Sequence, residues 1–599
     1  MLVYGDIERD ETVEAKQAAV TSLLSQASSM PPGIERHGAL VTAFISTSEL
    51  VQGMIDAEFH ERGFDAWTKD HAAGMECLSV LARAIRESWR SGFGQPTPLP
   101  PTFFETLHGF DPSQTIRTKQ AEGYAFYALY PESYLEAAKA SGLGSDTQVV
   151  GIRSIGTGLS ALVAAELGAH APITLRPVGH PFGREVRVDP DLTRSLTSES
   201  RKTFAIVDEG PGLSGSSFGA VADWLEAAGI SRERIHFFPS HGNALGPQAS
   251  DRHRARWSSA PRHFVSMDDL LLRGSPAHCL ESWLEYLLGP LDRPLEEISG
   301  GAWRSRRYQD EGSWPPANIQ QERRKFLARA NGTAWLVKFV GLGEIGARKL
   351  QIARQLHQAG FTPEPAGCRH GFLIERWHEE LDSLDQAPVS RKSLVEQVGA
   401  YLGFRARLFP AVEHQGASLG ELRRMAVYNM GQALGDTVAA ALEQSLADPS
   451  SLTGKVHRVC TDNRLHAWEW LVSGDRLIKT DALDHSAAHD LVGHQDVSWD
   501  VAGAMVELNL SEDEASWLCD IVQQESGRPV DQALLAFMLP CYLAFQLGAH
   551  LMAAGALGEG PEVTRLRQAA DRYEGLLHNR LPRRGGSEPL QEQEEAPAS

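Results

Sequence analysis

Cysteine is scarce and unpaired in this chain. Its six copies in 599 residues, Cys77, Cys279, Cys368, Cys460, Cys519 and Cys541, are scattered with no Cys-x-x-Cys pair. That pattern excludes a zinc ribbon and a disulfide framework, and it predicts a reducing, cytoplasmic setting. Positive charge is also short: 57 Lys and Arg stand against 77 Asp and Glu, a formal charge of −20. General affinity for nucleic acid or for an anionic membrane is not expected, so an anionic ligand would have to be met by local arginines. Met1 to Glu8 offer no basic segment followed by an apolar core, so no secretory signal is expected. No internal repeat is found. One segment, 533–557, is nearly uncharged and long enough to cross a bilayer. Pro540, Gln546 and His550 interrupt it and no aromatic or basic belts flank it, so a buried core helix is expected rather than a membrane span.

The chain does have the composition of a globular protein, 42% hydrophobic and 22% charged, with length for about three or four domains. Residues 1–60 show helical spacing around Leu40–Ile45 and Leu50–Ile55 and read as an N-terminal helical cap. Across 61–255, strand candidates at 149–152, 173–175, 204–207 and 235–238 alternate with helices, which implies an α/β domain with a doubly wound parallel sheet. Residues 256–320 read as a helical linker. Over 321–583 an Asn331-Gly332 turn joins two strand candidates, and helices dominate the remainder of that span. The tail, 584–599, reads as disordered.

The most informative motif is Thr203-Phe204-Ala205-Ile206-Val207-Asp208-Glu209, followed by Gly210-Pro211-Gly212-Leu213-Ser214-Gly215-Ser216-Ser217. Two acids at a strand's carboxyl end can accept hydrogen bonds from vicinal ribose hydroxyls. Small residues before a helix let backbone N–H groups close on a phosphate. The layout resembles the PRPP-binding motif of type I phosphoribosyltransferases, with one residue more than usual between acids and loop. The resemblance implies that Asp208 and Glu209 serve catalysis and that Ser214, Gly215, Ser216 and Ser217 hold the 5′-phosphate. The earlier loop Arg153-Ser154-Ile155-Gly156-Thr157-Gly158 would bind the pyrophosphate through backbone N–H groups at Gly156 and Gly158, with Arg153 adding charge. Between the loops, the family places a mobile segment that closes over PRPP, for which Arg184 and Arg187 are the candidate clamps. The transfer passes through an oxocarbenium-like state, so Mg²⁺ and cations would stabilise the departing pyrophosphate. His241 follows the next strand candidate and could face an acceptor, although a strand-end histidine is more often structural.

A second resemblance rests on Arg458-Val459-Cys460-Thr461-Asp462-Asn463-Arg464 and Arg476-Leu477-Ile478-Lys479-Thr480-Asp481. These are similar to the catalytic and metal-binding segments of aminoglycoside phosphotransferases and choline kinases. The resemblance implies an α+β two-lobed kinase-like domain with a mostly helical C-lobe, binding ATP. Asp462 would orient the attacking hydroxyl, Asp481 would hold Mg²⁺, and Lys338 would contact phosphate. Phe372–Trp377 would be the strand entering the nucleotide hinge, and Trp499-Asp500-Val501-Ala502 resembles the later helix with a buried Asp. The family's metal-binding Asn, five residues after the catalytic Asp, is missing, and Glu469 is the substitute candidate. No Gly-rich loop precedes Lys338; Gly341-Leu342-Gly343-Glu344-Ile345-Gly346 comes after it instead. An active kinase with altered metal ligation and a binding pseudokinase therefore both remain open. His485, His489 and His494 fit no standard closed zinc site, and solvated or hydrogen-bonding roles are expected.

These readings converge on a bifunctional enzyme: Mg²⁺-dependent phosphoribosyl transfer between PRPP and a base-like acceptor, joined to an ATP-dependent small-molecule kinase. The alternatives are a regulatory protein that senses PRPP or nucleotide, or a chain in which only the kinase-like half is catalytic. Expected partners are small molecules, with no nucleic acid and no membrane, and a homodimer is possible.

Overall fold

The computed structural model describes residues 7–94, 98–198, 203–411, 415–486, 488 and 491–580. Met1 to Asp6, His489 and the tail expected to be disordered lie outside the described residues. The chain divides into two compact units, a larger one of residues 7–307 with 321–381 and a smaller one of 308–320 with 382–580.

The larger unit opens with β1 (Glu8–Thr12), which pairs antiparallel with β2 (Thr115–Lys119). The long helices Val13–Ser29, Ile34–Arg62 and Lys69–Arg90 lie between these strands in sequence. Next come β3 (Thr147–Ile152), β4 (Ile173–Leu175), β5 (Pro177–His180), β6 (Gly183–Val186), β7 (Thr203–Val207) and β8 (Ile235–Phe238). The four expected strands form one parallel sheet in the order β4-β3-β7-β8, while β5 and β6 make a separate antiparallel hairpin.

Every residue of β3 is buried, as a parallel strand covered on both faces requires. Its alternation separates two cores. Val149 packs with the helical residues Leu78, Leu81 and Leu162, whereas Val150 packs with Phe218, Val221 and Leu225 from the helix Ser216–Ala227. Helices therefore cover both faces of the sheet. The crossover helices Gly156–Leu167 and Ser216–Ala227 leave β3 and β7 toward opposite edges, so the chain reverses direction in the sheet between these two strands. Such a switch point opens a crevice at the carboxyl ends of the strands.

The stretch expected to be a helical linker contains the helix Leu280–Leu288 and also an unforeseen strand, β9 (Leu291–Glu297). It is an irregularly paired edge with only partial burial, so its alternation signal is weak. It joins β10 (Lys325–Ala330), β11 (Thr333–Phe339), β12 (Pro365–Arg369) and β13 (Phe372–Arg376) in an antiparallel sheet ordered β12-β13-β11-β10-β9. Asn331 and Gly332 both take positive φ, 52° and 72°, the conformation a two-residue hairpin of right-handed twist needs. The inward residues Phe326, Val337, Phe339, Phe372 and Ile374 share a core with the N-terminal helices. Residues 325–376, read from sequence as part of the kinase-like domain, are thus built into the larger unit.

The smaller unit is mostly helical, with Arg391–Leu408, Leu419–Leu434, Asp436–Ser445, Val497–Glu507, Glu512–Ser526, Gln532–Leu557 and Pro561–His578. Its strands are short: β14 (Arg458–Val459), the hairpin β15 (Trp470–Ser473) and β16 (Arg476–Lys479), and β17 (Gln495–Asp496), which pairs with β14. Ser418 with Glu421 and Ser511 with Glu514 form reciprocal capping boxes that fix two helix starts. Gln532–Leu557 is the expected helix. By length and composition it and Ile34–Arg62 could each cross a bilayer, yet 72% of the most apolar window of each is buried within the protein. Gln546 is buried, and its carbonyl accepts a hydrogen bond from His550 Nδ1 at 2.7 Å.

Gly151 sits mid-strand in β3 where the following helix comes close. A Cβ there would lie 2.4 Å from Gly156 O and 2.6 Å from Ser160 Oγ. Gly151→Ala should force that helix outward and destabilise the protein by roughly 1–3 kcal/mol. The check is a urea midpoint, and a midpoint equal to wild type would disprove this packing account.

Candidate functional sites

The first candidate lies at the switch point of the larger unit. Asp208 and Glu209 come directly after β7, and Gly156 brings the earlier loop against them. A Cβ on Gly156 would lie 2.6 Å from Val207 O and 3.3 Å from Asp208 Oδ1. Tyr134 donates its hydroxyl to Asp208 O at 2.8 Å, and Gly123 donates its N–H to Glu209 Oε2 at 3.2 Å. Both side chains are half-buried. Burial pushes each carboxyl up to about 7, and for Glu209 the charge of Asp208 adds to the effect. Arg176, Lys119 and Arg184 are the cations that oppose this at Asp208.

The loop 210–217 turns through Gly212 and Gly215, each at φ 62°, into the helix Ser216–Ala227. Ser214 and Ser216 both donate to Pro181 O, at 3.1 and 2.6 Å, so their hydroxyls grip the tip of the β5–β6 hairpin. Ser217 is half-buried on the first turn of the helix. Arg184, on that hairpin, donates to Pro177 O at 3.3 Å.

Three sequence assignments change here. Arg153, expected to add charge for a pyrophosphate, has a buried and committed guanidinium. It pairs with Asp65, lies 3.2 Å from Asp56 and donates to Thr174 O at 2.9 Å. Gly158 faces the helix Ile34–Arg62, where a Cβ would lie 2.7 Å from Ser48 Oγ, so it serves helix packing. Arg187 is an exposed partner of Glu185 at 2.9 Å, not a clamp. His241 is exposed and accepts the Asn243 N–H at 3.3 Å. Arg176 went unselected, although it donates from Nε to Asp56 at 2.8 Å and from its backbone N to Asp65 at 2.7 Å. Asp56 and Asp65 lie far upstream in sequence, so no local motif could have announced the pairing.

The second candidate lies in the smaller unit. Asp462 is buried, and its Oδ2 accepts the Tyr401 hydroxyl at 2.5 Å. Its Oδ1 accepts the Arg464 N–H at 3.1 Å and lies 3.5 Å from Lys479 Nζ. The loop itself is clamped from below: Asp500 accepts the backbone N–H groups of Asp462 at 2.8 Å and of Asn463 at 2.9 Å. Burial and the neighbouring Asp462 push the Asp500 carboxyl up. Asn463 takes φ 64°, and its side chain bridges His485 O and Gly493 O. Arg405, fully buried, donates to Cys460 O, Thr461 O and Ala482 O, joining the two segments that the sequence motifs marked.

The β15–β16 hairpin brings Glu469 and Asp481 to one end. The Thr480 N–H donates to Glu469 O at 2.8 Å, and Asp481 is the next residue. Asp481 takes φ 50°, an uncommon conformation for a residue with a Cβ and one often kept at working sites. Its carboxylate lies 3.7 Å from His485 Nε2, and that nitrogen lies 3.2 Å from Arg464, which pairs with Glu469 at 3.0 Å. Burial pushes His485 down to about 3, so its imidazole is neutral at pH 7. His494 is buried and its carbonyl accepts from Arg458. Sequence reasoning passed over Lys479, Tyr401 and Arg405. Only Lys479 carried a signal, as a charge ending an apolar strand. Lys338 is buried on β11 of the larger unit, opposite Leu373 of β13.

No family model and no curated protein sequence matches the chain. Among solved structures, part of it is similar to a choline kinase from Streptococcus pneumoniae, at 15% identity over 42% of this chain and 89% of that one, with a TM-score of 0.27. It is also similar to a spectinomycin phosphotransferase in complex with ADP and spectinomycin, at 12% identity over 49% of this chain and 93% of that one (TM-score 0.34). A thermostable mutant of an aminoglycoside phosphotransferase, in complex with ADP and hygromycin B, gives 14% identity over 51% and 99% (TM-score 0.30).

The two acids after β7 have a consequence for stability. Their folded pKa, about 7 for each, lies above the unfolded values near 4, so the stability they contribute is complete below pH ~4 and is lost as pH rises through 7. Asp208→Asn/Glu209→Gln should remove that loss. Relative to wild type, the double variant should gain on the order of 2 kcal/mol between pH 5 and pH 8 in urea unfolding. Parallel pH profiles for the two proteins would show that burial does not raise these carboxyls.

Proposed function

We propose that the smaller unit carries a small-molecule phosphotransferase centre in which Asp462 orients and deprotonates the attacking hydroxyl of the substrate. The observation that carries the reading is the clamping of the Asp462 loop by Asp500. That arrangement fixes a buried carboxylate through its own backbone, where a general base must be held within hydrogen-bond reach of its proton. Tyr401 and Lys479 supplement this by orienting the two carboxyl oxygens.

The donor set suits a hard divalent cation. Asp481 and Glu469 bring carboxylates to one end of the hairpin, and magnesium prefers a few such oxygens beside those of substrate phosphates. When bound, Mg²⁺ would neutralise charge on the transferred phosphate. Arg464 pairs with Glu469 at 3.0 Å, and His485 Nε2 lies 3.7 Å from the Asp481 carboxylate. Nucleotide binding without turnover is the competing reading, favoured by that same Arg464–Glu469 pair.

A separate proposal concerns the switch-point crevice of the larger unit, read as a sugar-phosphate site of the PRPP type. Its support is the pair Asp208 and Glu209 at the carboxyl end of β7, next to Gly156 and to the start of the helix Ser216–Ala227. Ser214 and Ser216 hold the hairpin that bears Arg184, so hairpin and loop would have to part for a phosphate to reach the hydroxyls.

Two measurements test these readings. Release of phosphate from ATP with Mg²⁺ should fall about 10²–10⁴-fold in Asp462→Asn while ATP affinity stays within about threefold of wild type. Equal rates in the two proteins would sink the catalytic role, and absence of turnover in wild type with ATP still bound would leave the sensing reading. For the crevice, calorimetry with PRPP and Mg²⁺ should show binding that weakens by about 2–4 kcal/mol in Asp208→Asn/Glu209→Gln. Undiminished affinity in that variant would remove the ribose assignment.

A further inference from the structure

Deep in the larger unit, and unrelated to either candidate site, two histidines converge on one glutamate. His37 comes from the helix Ile34–Arg62, Glu132 from the helix Pro131–Ala140, and His370 from the β12–β13 turn. His37 Nε2 lies 2.7 Å and His370 Nε2 3.1 Å from Glu132 Oε1. The three ligand atoms all fall within 4.8 Å of one another. His37 and Glu132 are 0% exposed, and the His370 side chain is 2% exposed.

Three features set this group apart from an ordinary buried hydrogen bond. The second carboxylate oxygen, Glu132 Oε2, is buried with no hydrogen-bond partner among the described residues. A buried carboxylate left half-satisfied is costly, so the site is built for something that both oxygens can meet. The hydrogen-bond partners at its first oxygen agree: both are imidazole nitrogens, the kind of group that pairs with a carboxylate around a metal ion. Trp89, Phe93, Tyr130 and Trp283 ring the two imidazoles and exclude water that could screen the charge. Finally, the far nitrogen of His37, Nδ1, is already oriented by Ser88 Oγ at 3.0 Å, the outer-shell hydrogen bond that directs Nε2 of a metal-ligating histidine. His370 is held at φ 38°, a conformation costly for a residue with a Cβ, which aims its ring at the same point.

We propose that His37, Glu132 and His370 form a structural divalent-metal site, selective for zinc, that fastens the β12–β13 turn to the two helices. Two imidazoles and a carboxylate are a zinc donor set, and ligands about 2.0–2.2 Å from the ion stand about 3.3 Å apart. The observed separations of 2.7 and 3.1 Å need only a small opening to accept it. A bound ion needs both Nε2 atoms as unprotonated donors, and Glu132 Oε2 supplies a further donor within the same cage.

The test uses the full chain, dialysed first against micromolar free zinc and then against metal-free buffer. Atomic emission should find about one zinc per chain, and cobalt loading should give the visible bands of a four-coordinate ion. His37→Gln/His370→Gln should lose that ion, whereas His236→Gln, a control at the stacked His236–His263 pair outside the cluster, should keep it. A chelator should lower the thermal midpoint of wild type and leave the double variant unmoved. If the double variant does not fold, X-ray absorption of the wild-type metal decides. A nitrogen and oxygen shell without sulfur supports the site, and a sulfur shell overturns it. Zinc below about 0.1 per chain, or full zinc retention in a folded double variant, would also overturn it and leave a proton-sharing His–Glu–His cluster in its place.

Discussion

A carboxylate taken out of water must be met by positive charge, by N–H groups or by a proton, and this requirement organises each polar cluster in the molecule. In the larger unit it is met by charge, where Asp56 and Asp65 take Arg153 and Arg176 in a buried network that ties the helix Ile34–Arg62 to the ends of β3 and β4. Against the cost of burial, Arg176 and Arg153 hold Asp56 below the usual carboxylate range. In the smaller unit it is met by backbone: Asp500 takes two N–H groups of the Asp462 loop, and Tyr401 serves Asp462 itself. After β7, Arg176, Lys119 and Arg184 offset only part of the cost of burial at Asp208, and burial pushes both carboxyls up to about 7.

The parallel sheet explains why the acids are there at all. With both faces covered by helices, β3 and β7 can present polar chemistry only at their ends. The reversal of direction between them opens those ends to a ligand. Glycine at 151 and 156 lets the crossover helix sit tight against the strands, so the loop after β3 reaches the acids after β7. The β5–β6 hairpin then closes on the second loop through Pro181 O. Packing, loop geometry and electrostatics at this end of the sheet are one arrangement seen three ways.

The smaller unit uses different means to the same end. Its described strands are short and pair only in twos, so the loop of Asp462 depends on helices for support. Arg405 on one helix gathers three carbonyls from two segments, and Asp500 on another caps the loop from beneath. Gly399 and Gly403 bring the helix of Arg405 close to Glu512–Ser526, where a Cβ would lie 2.8 Å from Ile521 and 2.4 Å from Glu525. Removal of any one support would loosen a loop held by hydrogen bonds rather than by apolar area.

Much of this was legible in the amino-acid order, because strands, turns and caps are local. The runs at 149–152, 173–175, 204–207 and 235–238 announced their strands by apolar content, and Asn331-Gly332 announced its hairpin by the φ values it permits. The acids after β7 and the neighbourhoods of Asp462 and Asp481 were marked by the same logic of strand ends and small residues. What a residue touches across 90 or 240 positions is not a local property, and there the sequence was silent. Arg153 looked like a free charge beside a glycine loop until Asp56 and Asp65 closed on it. Gly158 looked like a phosphate-binding position until Ser48 proved to be its neighbour. Edge strand β9 hid because half-exposed strands keep little alternation. His37, Glu132 and His370 belong to no motif, since nothing in the order of residues records that three buried side chains meet at one point. Local propensity and pattern determined the elements and most of the candidate acids. Tertiary packing alone decided which charges were paired with one another and which carboxyls were pushed up by burial, because burial sets the cost of a charge and only the folded chain buries it.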